Sequence, residues 1–204
     1  MSRSTPPSSR RSAAVRVKTA RGRKPSSTRW LQRQLNDPYV KAAQDAGYRS
    51  RAAFKLLELD ERFGLLKGAR RVLDLGAAPG GWTQVVVERT GGGGVVAVDI
   101  LEMDPITGAE ILQLDMTDPD SSTKIHELLG GLADIVLSDM AAPTTGHRQT
   151  DHLRTMSLCD IAFDFGSSVL AEGGTLIAKV FQGGAEGDLL DELKRRFVSV
   201  RHIK

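Results

Sequence analysis

Hydrophobic residues along this chain occur in short apolar runs that alternate with segments of helical periodicity. From residue 71 onward, six runs rich in Val, Ile and Leu are separated by stretches with three-and-four spacing or by glycine-rich turns. Such runs are typical of buried strands, and their alternation with helices predicts an α/β fold with a mostly parallel sheet and helices on both faces. The predicted strands are Arg71–Leu75, Val95–Ile100, Ile111–Leu114, Asp134–Ser138, Thr175–Phe181 and Val198–Ile203.

Positions outside these runs predict helices. An N-terminal helical layer is indicated by residues 30–45, with an interruption at Asp37-Pro38, and by a helix that runs from an N-cap at Ser50 to about Arg62. Another helix is predicted over residues 83–89. Ahead of the fifth strand, one helix face is predicted to be buried and to place the single cysteine in the core; its residues are Leu153, Met156, Cys159, Phe163 and Leu170.

Basic residues are concentrated at the start of the chain. Residues 1–29 carry nine Lys or Arg and no acid, whereas the rest of the chain carries 19 basic and 25 acidic residues. With its prolines and serines, this composition predicts a disordered basic tail over residues 1–29, one domain over residues 30–204, and a polyanion such as nucleic acid as partner. A mitochondrial transit peptide, and with it a matrix location, is the weaker alternative, because the tail lacks a clear amphipathic apolar face.

The overall composition excludes several classes of protein. Of the 204 residues 40% are hydrophobic, yet no apolar run is long enough to cross a membrane, so we expect a soluble protein without a membrane partner. We also expect a monomer that is located in the cytoplasm. A single cysteine excludes an internal disulfide, and the four histidines lack ligand spacing, so we expect no metal site. The cysteine also has no activating neighbour in the sequence, which disfavours its use as a nucleophile.

A glycine-rich turn follows the first predicted strand. In the run Val72-Leu73-Asp74-Leu75-Gly76-Ala77-Ala78-Pro79-Gly80-Gly81-Trp82 the glycines lack a Cβ, so the backbone can turn sharply and approach a ligand, with the N-terminus of the next helix facing the site. A dinucleotide-binding turn would read Gly-x-Gly-x-x-Gly, whereas Pro79 removes a donor that a pyrophosphate would use. The turn therefore favours a ligand without a diphosphate, and it resembles the cofactor loop of S-adenosylmethionine-dependent methyltransferases.

Four aspartates follow or end predicted strands, namely Asp74, Asp99, Asp115 and Asp139. Ligands of open α/β sheets bind outside the carboxyl ends of the strands, so we expect these carboxylates at the binding site. Asp99 lies about 20 residues beyond the glycine turn, where a carboxylate can accept from both hydroxyls of an adenosyl ribose. Asp115 could accept from the adenine amino group. Capping of a turn could explain one such aspartate, but it explains less readily why four of them stand at strand ends.

Lys179 is the most informative single cation, because it ends an apolar run in which an unpaired ammonium would lose its hydration. The neighbouring strand end offers Asp139 as its partner. A lysine in this position could act as a general base if a second cation disfavoured its protonated form, and Lys55 could be that cation. Taken alone, however, Lys55 has the character of an ordinary surface lysine on a helix.

Several blocks of the sequence, in order, resemble the FtsJ/RrmJ (RlmE) family of ribosomal RNA large-subunit 2'-O-ribose methyltransferases. The resemblance covers residues 27–204. It implies a class I, Rossmann-like methyltransferase that uses S-adenosyl-L-methionine to methylate a uridine of large-subunit rRNA. The implied partner is large-subunit rRNA or the 50S-type subunit, with the assembled subunit favoured as substrate over naked RNA. It carries the family's cofactor residues onto Gly80, Trp82, Asp99, Asp115 and Asp139, and its catalytic residues onto Lys55, Asp139 and Lys179. Besides the glycine turn, the matching blocks are Ser27–Leu31, Asp37–Val40, Tyr48–Leu56, Met103–Ile106, Leu137–Ala141 and Ala178–Gly183.

The resemblance also implies a fourth catalytic residue, a glutamate in a Ser-x-Glu segment beside a final antiparallel strand, which does not occur before Lys204. We therefore expect a truncated or poorly active product, and a higher melting temperature once that strand is restored. The alternatives are a non-catalytic rRNA-binding assembly factor and a 2'-O-methyltransferase of another RNA such as tRNA. Base amino methylation is disfavoured because no Pro-Pro-aromatic segment follows Asp139, and a nicotinamide dehydrogenase is disfavoured by the glycine turn.

Overall fold

The computed structural model describes residues 28, 32, 36–142, 145–180 and 186–203, and within these the sheet has five strands. They are β1 (Val72–Leu75), β2 (Val95–Asp99), β3 (Ala109–Gln113), β4 (Ala133–Ser138) and β5 (Leu170–Ala178). All four neighbouring pairs are parallel, and the order across the sheet is β3-β2-β1-β4-β5. The prediction of an α/β fold with a parallel sheet is confirmed.

Helices connect these strands and precede them. The described helices are α1 (Pro38–Asp45), α2 (Ala52–Phe63), α3 (Gly81–Thr90), α4 (Ser121–Leu129), α5 (Arg148–Val169) and α6 (Glu186–Arg196). Within these residues, no helix has both the length and the apolar composition needed to cross a membrane.

The two faces of the sheet bury separate hydrophobic clusters. Side chains alternate along a strand, so Val72 packs in one cluster with Val85 of α3, whereas the next residue, Leu73, packs in the other with Ile125 of α4. All four side chains are buried. By the same alternation, the fully buried Asp74 lies on the face that α2 and α3 cover.

The helix α1 begins where the sequence indicated, but the cap of α2 differs from the prediction. Pro38 occupies the first turn of α1, and Asp37 Oδ1 accepts a hydrogen bond from the Tyr39 backbone N–H at 2.9 Å, which confirms the interruption at Asp37-Pro38. The predicted N-cap at Ser50 is wrong. Arg51 holds the cap position of α2 without a side-chain cap bond, while the Ser50 hydroxyl packs against the start of α3 at Gly81.

Other element predictions are also corrected. Residues 198–203 form no strand, because within the described chain they pair with no neighbouring strand, and Val198 is fully exposed. The fifth strand begins at Leu170 rather than Thr175. Leu153 lies near the start of α5 and is 68% exposed, whereas Cys159 one turn and a half later is buried as predicted. Predictions for residues 1–27, 29–31, 33–35 and 181–185 lie outside the described residues.

Candidate active site

The glycine turn, residues 76–80, leads directly from β1 into α3. It is held to the neighbouring strand by Val98 O, which accepts from the backbone N–H groups of Gly76 at 2.8 Å and Ala77 at 3.1 Å. Gly80 has φ +107°, a conformation that L side chains rarely adopt, and it stands at the N-cap of α3. Glycine is therefore favoured at position 80, where the turn enters α3 with this backbone conformation.

A cavity of about 430 Å³ opens between this turn and the segment that joins α1 to α2. Its volume lies in the range of small-molecule pockets, about 300–1,000 Å³. Arg49, Asp74, Trp82 and Asp139 contribute to its walls. Two of the predicted aspartates thus reach one cavity from different strands, because the carboxyl ends of parallel strands meet at one edge of a sheet.

Asp74 is the deepest charged group of this cavity. Its side chain is fully buried, and its Oδ2 accepts from Thr83 Oγ1 at 2.7 Å, while Oδ1 has no hydrogen-bond partner. Burial, reinforced by the charges of Asp139 and Asp99, raises the pKa of Asp74 to about 7 despite the Thr83 hydrogen bond. A buried acceptor that lacks a donor on a cavity wall is suited to a ligand that carries a donor or a positive charge.

Asp139 and Lys179 form an ion pair where β4 and β5 end. Lys179 Nζ donates to Asp139 Oδ1 and, at 3.2 Å, to the Asp139 backbone carbonyl. The Asp139 and Lys179 side chains are 26% and 36% exposed, so the pair is partly open to solvent and does not lie in the core. The predicted partnership of these two residues is confirmed.

Lys55 lies on α2 and does not join that ion pair. Its Nζ is 3.3 Å from Glu58 Oε2, one turn along the same helix, and its side chain is 42% exposed. Lys55, Asp139 and Lys179 nevertheless line one larger, open cavity of about 1680 Å³ that adjoins the first. The structure thus brings the three predicted catalytic residues to one opening, and their roles stay a prediction.

Asp99 stands at the end of β2 and organises two loops. Its Oδ2 accepts from the Ala78 backbone N–H and its Oδ1 accepts from the Leu101 backbone N–H, each at 2.8 Å. Each oxygen keeps a further lone pair, so the ribose-binding role predicted for Asp99 stays compatible with these bonds. The carboxylate also fixes the glycine turn, which the sequence reasoning did not foresee.

Two further predicted cofactor residues are placed differently. The exposed Asp115 follows β3, and hydrogen bonds from the Thr117 backbone and hydroxyl lower its pKa, so it closes its own turn. The indole of Trp82 is buried, and its Nε1 donates to the Ala52 carbonyl of α2 at 2.8 Å. Trp82 therefore connects α3 to α2. These contacts do not test the assignment of Asp115 and Trp82 to the cofactor site.

Arg49 was not among the predicted site residues. It lines the smaller cavity, and its guanidinium donates to three backbone carbonyls, two of them in the loop after β2. In the sequence it stands in a short basic stretch before a helix, where nothing distinguishes it from a surface arginine. The segment that contains Arg49, residues 48–56, was indicated as functional only by the family resemblance.

Comparisons with known proteins agree with this geometry. The ribosomal RNA large subunit methyltransferase E of Acidiphilium cryptum (strain JF-5) is 60% identical over 196 residues, which are 96% of this chain and 87% of the relative. The protein of the same name from Ruegeria pomeroyi is 54% identical, and the match covers 100% of this chain and 91% of the relative. Identity at this level over nearly the whole chain shows common descent.

Solved structures and family models extend the comparison. A ribosomal RNA methyltransferase from Plasmodium falciparum superposes with a TM-score of 0.68 at 35% identity, over 72% of this chain and 86% of that chain. The FtsJ-like methyltransferase model matches residues 48–204. The class I methyltransferase fold expected from the resemblance is confirmed, and the chain belongs to the FtsJ-like methyltransferase family.

Proposed function

We propose that this protein transfers a methyl group from S-adenosylmethionine to the ribose 2'-hydroxyl of a uridine in large-subunit rRNA. The observation that carries the proposal is the Asp139–Lys179 ion pair, which stands beside the glycine turn in a chain of the FtsJ-like family. Relatives named for large-subunit rRNA methylation support the substrate class. We further propose the assembled large subunit as substrate, a monomeric enzyme and action in the cytoplasm.

The residues around the smaller cavity suit this cofactor. S-adenosylmethionine carries a sulfonium and an ammonium, and Asp74 offers a buried carboxylate oxygen without a donor, with Asp139 on the same wall. Asp99 and the glycine turn suit the nucleoside, since carboxylate oxygens accept from ribose hydroxyls. We assign Gly80, Trp82, Asp99, Asp115 and Asp139 to the cofactor site. When bound, the cofactor supplies a methyl group activated by positively charged sulfur.

The chain's own residues handle the ribose hydroxyl and its proton. The 2'-hydroxyl must release that proton as its oxygen becomes an ether, and we assign Lys179 to accept or direct it while Asp139 orients the ammonium. Proton transfer by a positioned group contributes about 10²- to 10⁴-fold, whereas correct placement of the reacting groups can contribute about 7–11 kcal/mol. Placement is therefore the larger share of the proposed catalysis.

The larger cavity gives RNA access to this pair. It is open and wide, and Lys55 stands on its wall with an exposed ammonium. A cation at this opening can contact the phosphate or ribose of the incoming nucleotide, and we assign Lys55 to hold the target against Lys179. Sequence-specific recognition of RNA depends on surface shape and stacking, so the identity of the nucleotide is left to experiment.

The proposal is tested with unmodified large ribosomal subunits, separately prepared naked large-subunit rRNA and tRNA, each incubated with labelled S-adenosylmethionine. We expect label on one ribose of the large subunit, mapped as a 2'-O-methyl group, and its incorporation about 100-fold slower or more after Lys179→Ala. Lys194→Ala serves as the control, because it removes an exposed lysine that pairs with Asp191 on α6. Binding of rRNA without any transfer would instead indicate an assembly factor, and label on tRNA alone would change the substrate.

A further inference from the structure

Arg49 connects the glycine turn to the loop after β2 through backbone carbonyls. Its Nη1 donates to Asp104 O at 2.7 Å and to Pro79 O at 3.3 Å, and its Nη2 donates to Pro105 O at 2.8 Å. Its own backbone N–H donates to Gln84 Oε1 of α3 at 2.8 Å. The Arg49 side chain thus joins two parts of the chain, the turn and the loop, while its backbone joins its own segment to α3.

We propose that Arg49 is a positioning residue that keeps the cofactor pocket closed around its ligand by holding the glycine turn against residues 100–108, the loop after β2. This inference rests on the proposed cofactor. It concerns affinity for that cofactor and not the chemical step, because the backbones of Asp139 and Lys179 are held by β1 and β4, and no described hydrogen bond joins Arg49 to these strands.

The packing between these segments shows how closely they must be held. A Cβ added at Gly80 would lie 2.7 Å from Ile106 Cδ1, and 3.2 Å from both Met103 Sδ and Arg49 Nη1. Real Cβ atoms essentially never come within 3.0 Å of another heavy atom and seldom within 3.4 Å, so side chains of the loop and the guanidinium lie directly against the turn. Arg49 and Pro79 both line the smaller cavity, so a movement of the loop that releases them would change the shape of its wall.

Two tethers join the turn and the loop. On one side Asp99 accepts from Ala78 of the turn and from Leu101 of the loop, and on the other side Arg49 bridges Pro79 to Asp104 and Pro105. With Arg49 removed, Asp104 and Pro105 would lose the described hydrogen bonds that connect them to the turn through the guanidinium. We therefore expect the distal half of the loop, and not the end of β2, to loosen.

The arrangement requires arginine rather than any cation. The guanidinium is planar and presents several N–H groups in a fixed fork, so it can satisfy three carbonyls at once, whereas an ammonium is a compact donor with a different geometry. Among the described residues Arg49 has no carboxylate partner. Arg51, two residues later, differs because it forms an ion pair with Asp37 at 2.5 Å. Arg49 therefore acts by geometry more than by charge neutralisation.

The test compares the full chain with Arg49→Lys and Arg49→Ala, and uses Arg89→Ala as matched control. Arg89 links α3 to α2 through ion pairs with the largely buried Asp60 and the exposed Glu61, and it has no described contact with the glycine turn. The first measurement is amide hydrogen exchange of residues 102–107 without ligand. The second is the dissociation constant of S-adenosylmethionine by calorimetry, and the third is kcat and KM on large subunits.

For Arg49→Ala we expect faster amide exchange in the loop and an affinity for S-adenosylmethionine that is about tenfold weaker or more. For Arg49→Lys we expect an intermediate loss of affinity. In both variants kcat at saturating cofactor should stay within about threefold of the wild type. Arg89→Ala is expected to match the wild type. Unchanged exchange and affinity in both Arg49 variants, or a fall in kcat alone, would overturn the inference. A wild type that does not bind S-adenosylmethionine would overturn the proposed cofactor, while faster exchange in Arg49→Lys would still establish the tether. If Arg49→Ala fails to fold, Arg49→Lys decides.

Discussion

Asp139 and Lys179 face each other because they immediately follow two residues that are paired in the sheet. Ser138 of β4 and Ala178 of β5 are register partners, the Lys179 backbone N–H donates to Ser138 O at 2.9 Å, and the Asp139 backbone N–H donates to Leu75 O at 3.1 Å. The backbone of both residues is thus held by the sheet before either side chain makes a contact. An ion pair built on such a frame needs little reorganisation when a substrate arrives.

The first prediction concerns this pair. Lys179→Ala removes the group assigned to the 2'-hydroxyl proton but leaves the backbone frame intact, so we expect turnover to fall by about 100-fold or more while cofactor affinity stays within about twofold. Single-turnover methyl transfer and calorimetric titration of S-adenosylmethionine measure the two effects separately.

Asp139→Asn tests the role of the partner with a side chain of the same shape. We expect a smaller loss than for Lys179→Ala, because the lysine retains the Asp139 backbone carbonyl as an acceptor. Normal turnover in Lys179→Ala would remove this lysine from the mechanism.

The second prediction concerns Asp99, whose replacement should weaken cofactor binding and leave turnover nearly unchanged, the opposite of the result expected for Lys179→Ala. Asp99→Ala leaves the Ala78 and Leu101 N–H groups without their acceptor and removes the carboxylate assigned to the ribose, so we expect the dissociation constant of S-adenosylmethionine to rise about tenfold or more. We expect kcat at saturating cofactor to change by less than about threefold.

Asp104→Ala is the matched control for Asp99. It removes an exposed carboxylate from the same loop and keeps the backbone carbonyl that accepts from Arg49. Equal affinity losses in the two variants would indicate a general effect of charge and would count against a specific role of Asp99.

The sequence predicted the Asp139–Lys179 pair because apolar runs locate parallel strands, and the ends of such strands must meet. The sequence did not predict which polar side chains already have hydrogen-bond partners within the protein. Asp115 closes its own turn with Thr117, and the indole of Trp82 donates to a carbonyl of α2. A residue type at a strand end shows where a side chain lies, whereas its hydrogen bonds depend on contacts between distant segments.

Arg49 and residues 198–203 both show that sequence pattern alone does not determine tertiary contacts. In the first case a site residue was missed, and in the second a strand was predicted that does not form. Arg49 was missed because its partners are backbone carbonyls, which carry no signature in the sequence. The strand at residues 198–203 was predicted from residue types alone, but a strand forms only where an edge pairs with it, and the described chain supplies no such pairing. Local pattern identifies candidates for strands and sites, and tertiary contacts decide among them.

The third prediction compares two glycines with positive φ. Gly80→Ala places a methyl group 2.7 Å from Ile106 Cδ1 at φ +107°, whereas Gly64→Ala, at the end of α2, meets nothing within 4 Å at φ +63°. We expect backbone strain of about 1–3 kcal/mol in both variants. In Gly80→Ala alone the end of the Ile106 side chain must also move aside, which adds little to the stability loss but disturbs the packing of the turn. Denaturant unfolding measures both losses, and cofactor titration should show weaker binding for Gly80→Ala only. Equal stability losses with equal cofactor affinity would contradict the close packing of the turn.

The fourth prediction concerns the buried carboxyl of Asp74. Its pKa is raised from the ordinary value of 3.8 to about 7, first by burial and then by the charges of Asp139 and Asp99. Between these two values the folded protein keeps a proton that the unfolded chain has released. The contribution of Asp74 to the free energy of unfolding therefore falls as the pH rises from about 4 to about 7, and it is constant above that range.

Asp74→Asn should remove this dependence, because the amide has nearly the same shape, keeps an oxygen that can accept from Thr83 Oγ1 and carries no charge. We expect the stability difference between variant and wild type to grow in favour of the variant from near zero at pH 4 to a plateau above pH 7, by up to about 4 kcal/mol. Urea unfolding at half-unit pH intervals measures it. Parallel curves for the two proteins would show that the folded state holds Asp74 ionised, which requires a donor to the Oδ1 atom that the structure leaves without a partner.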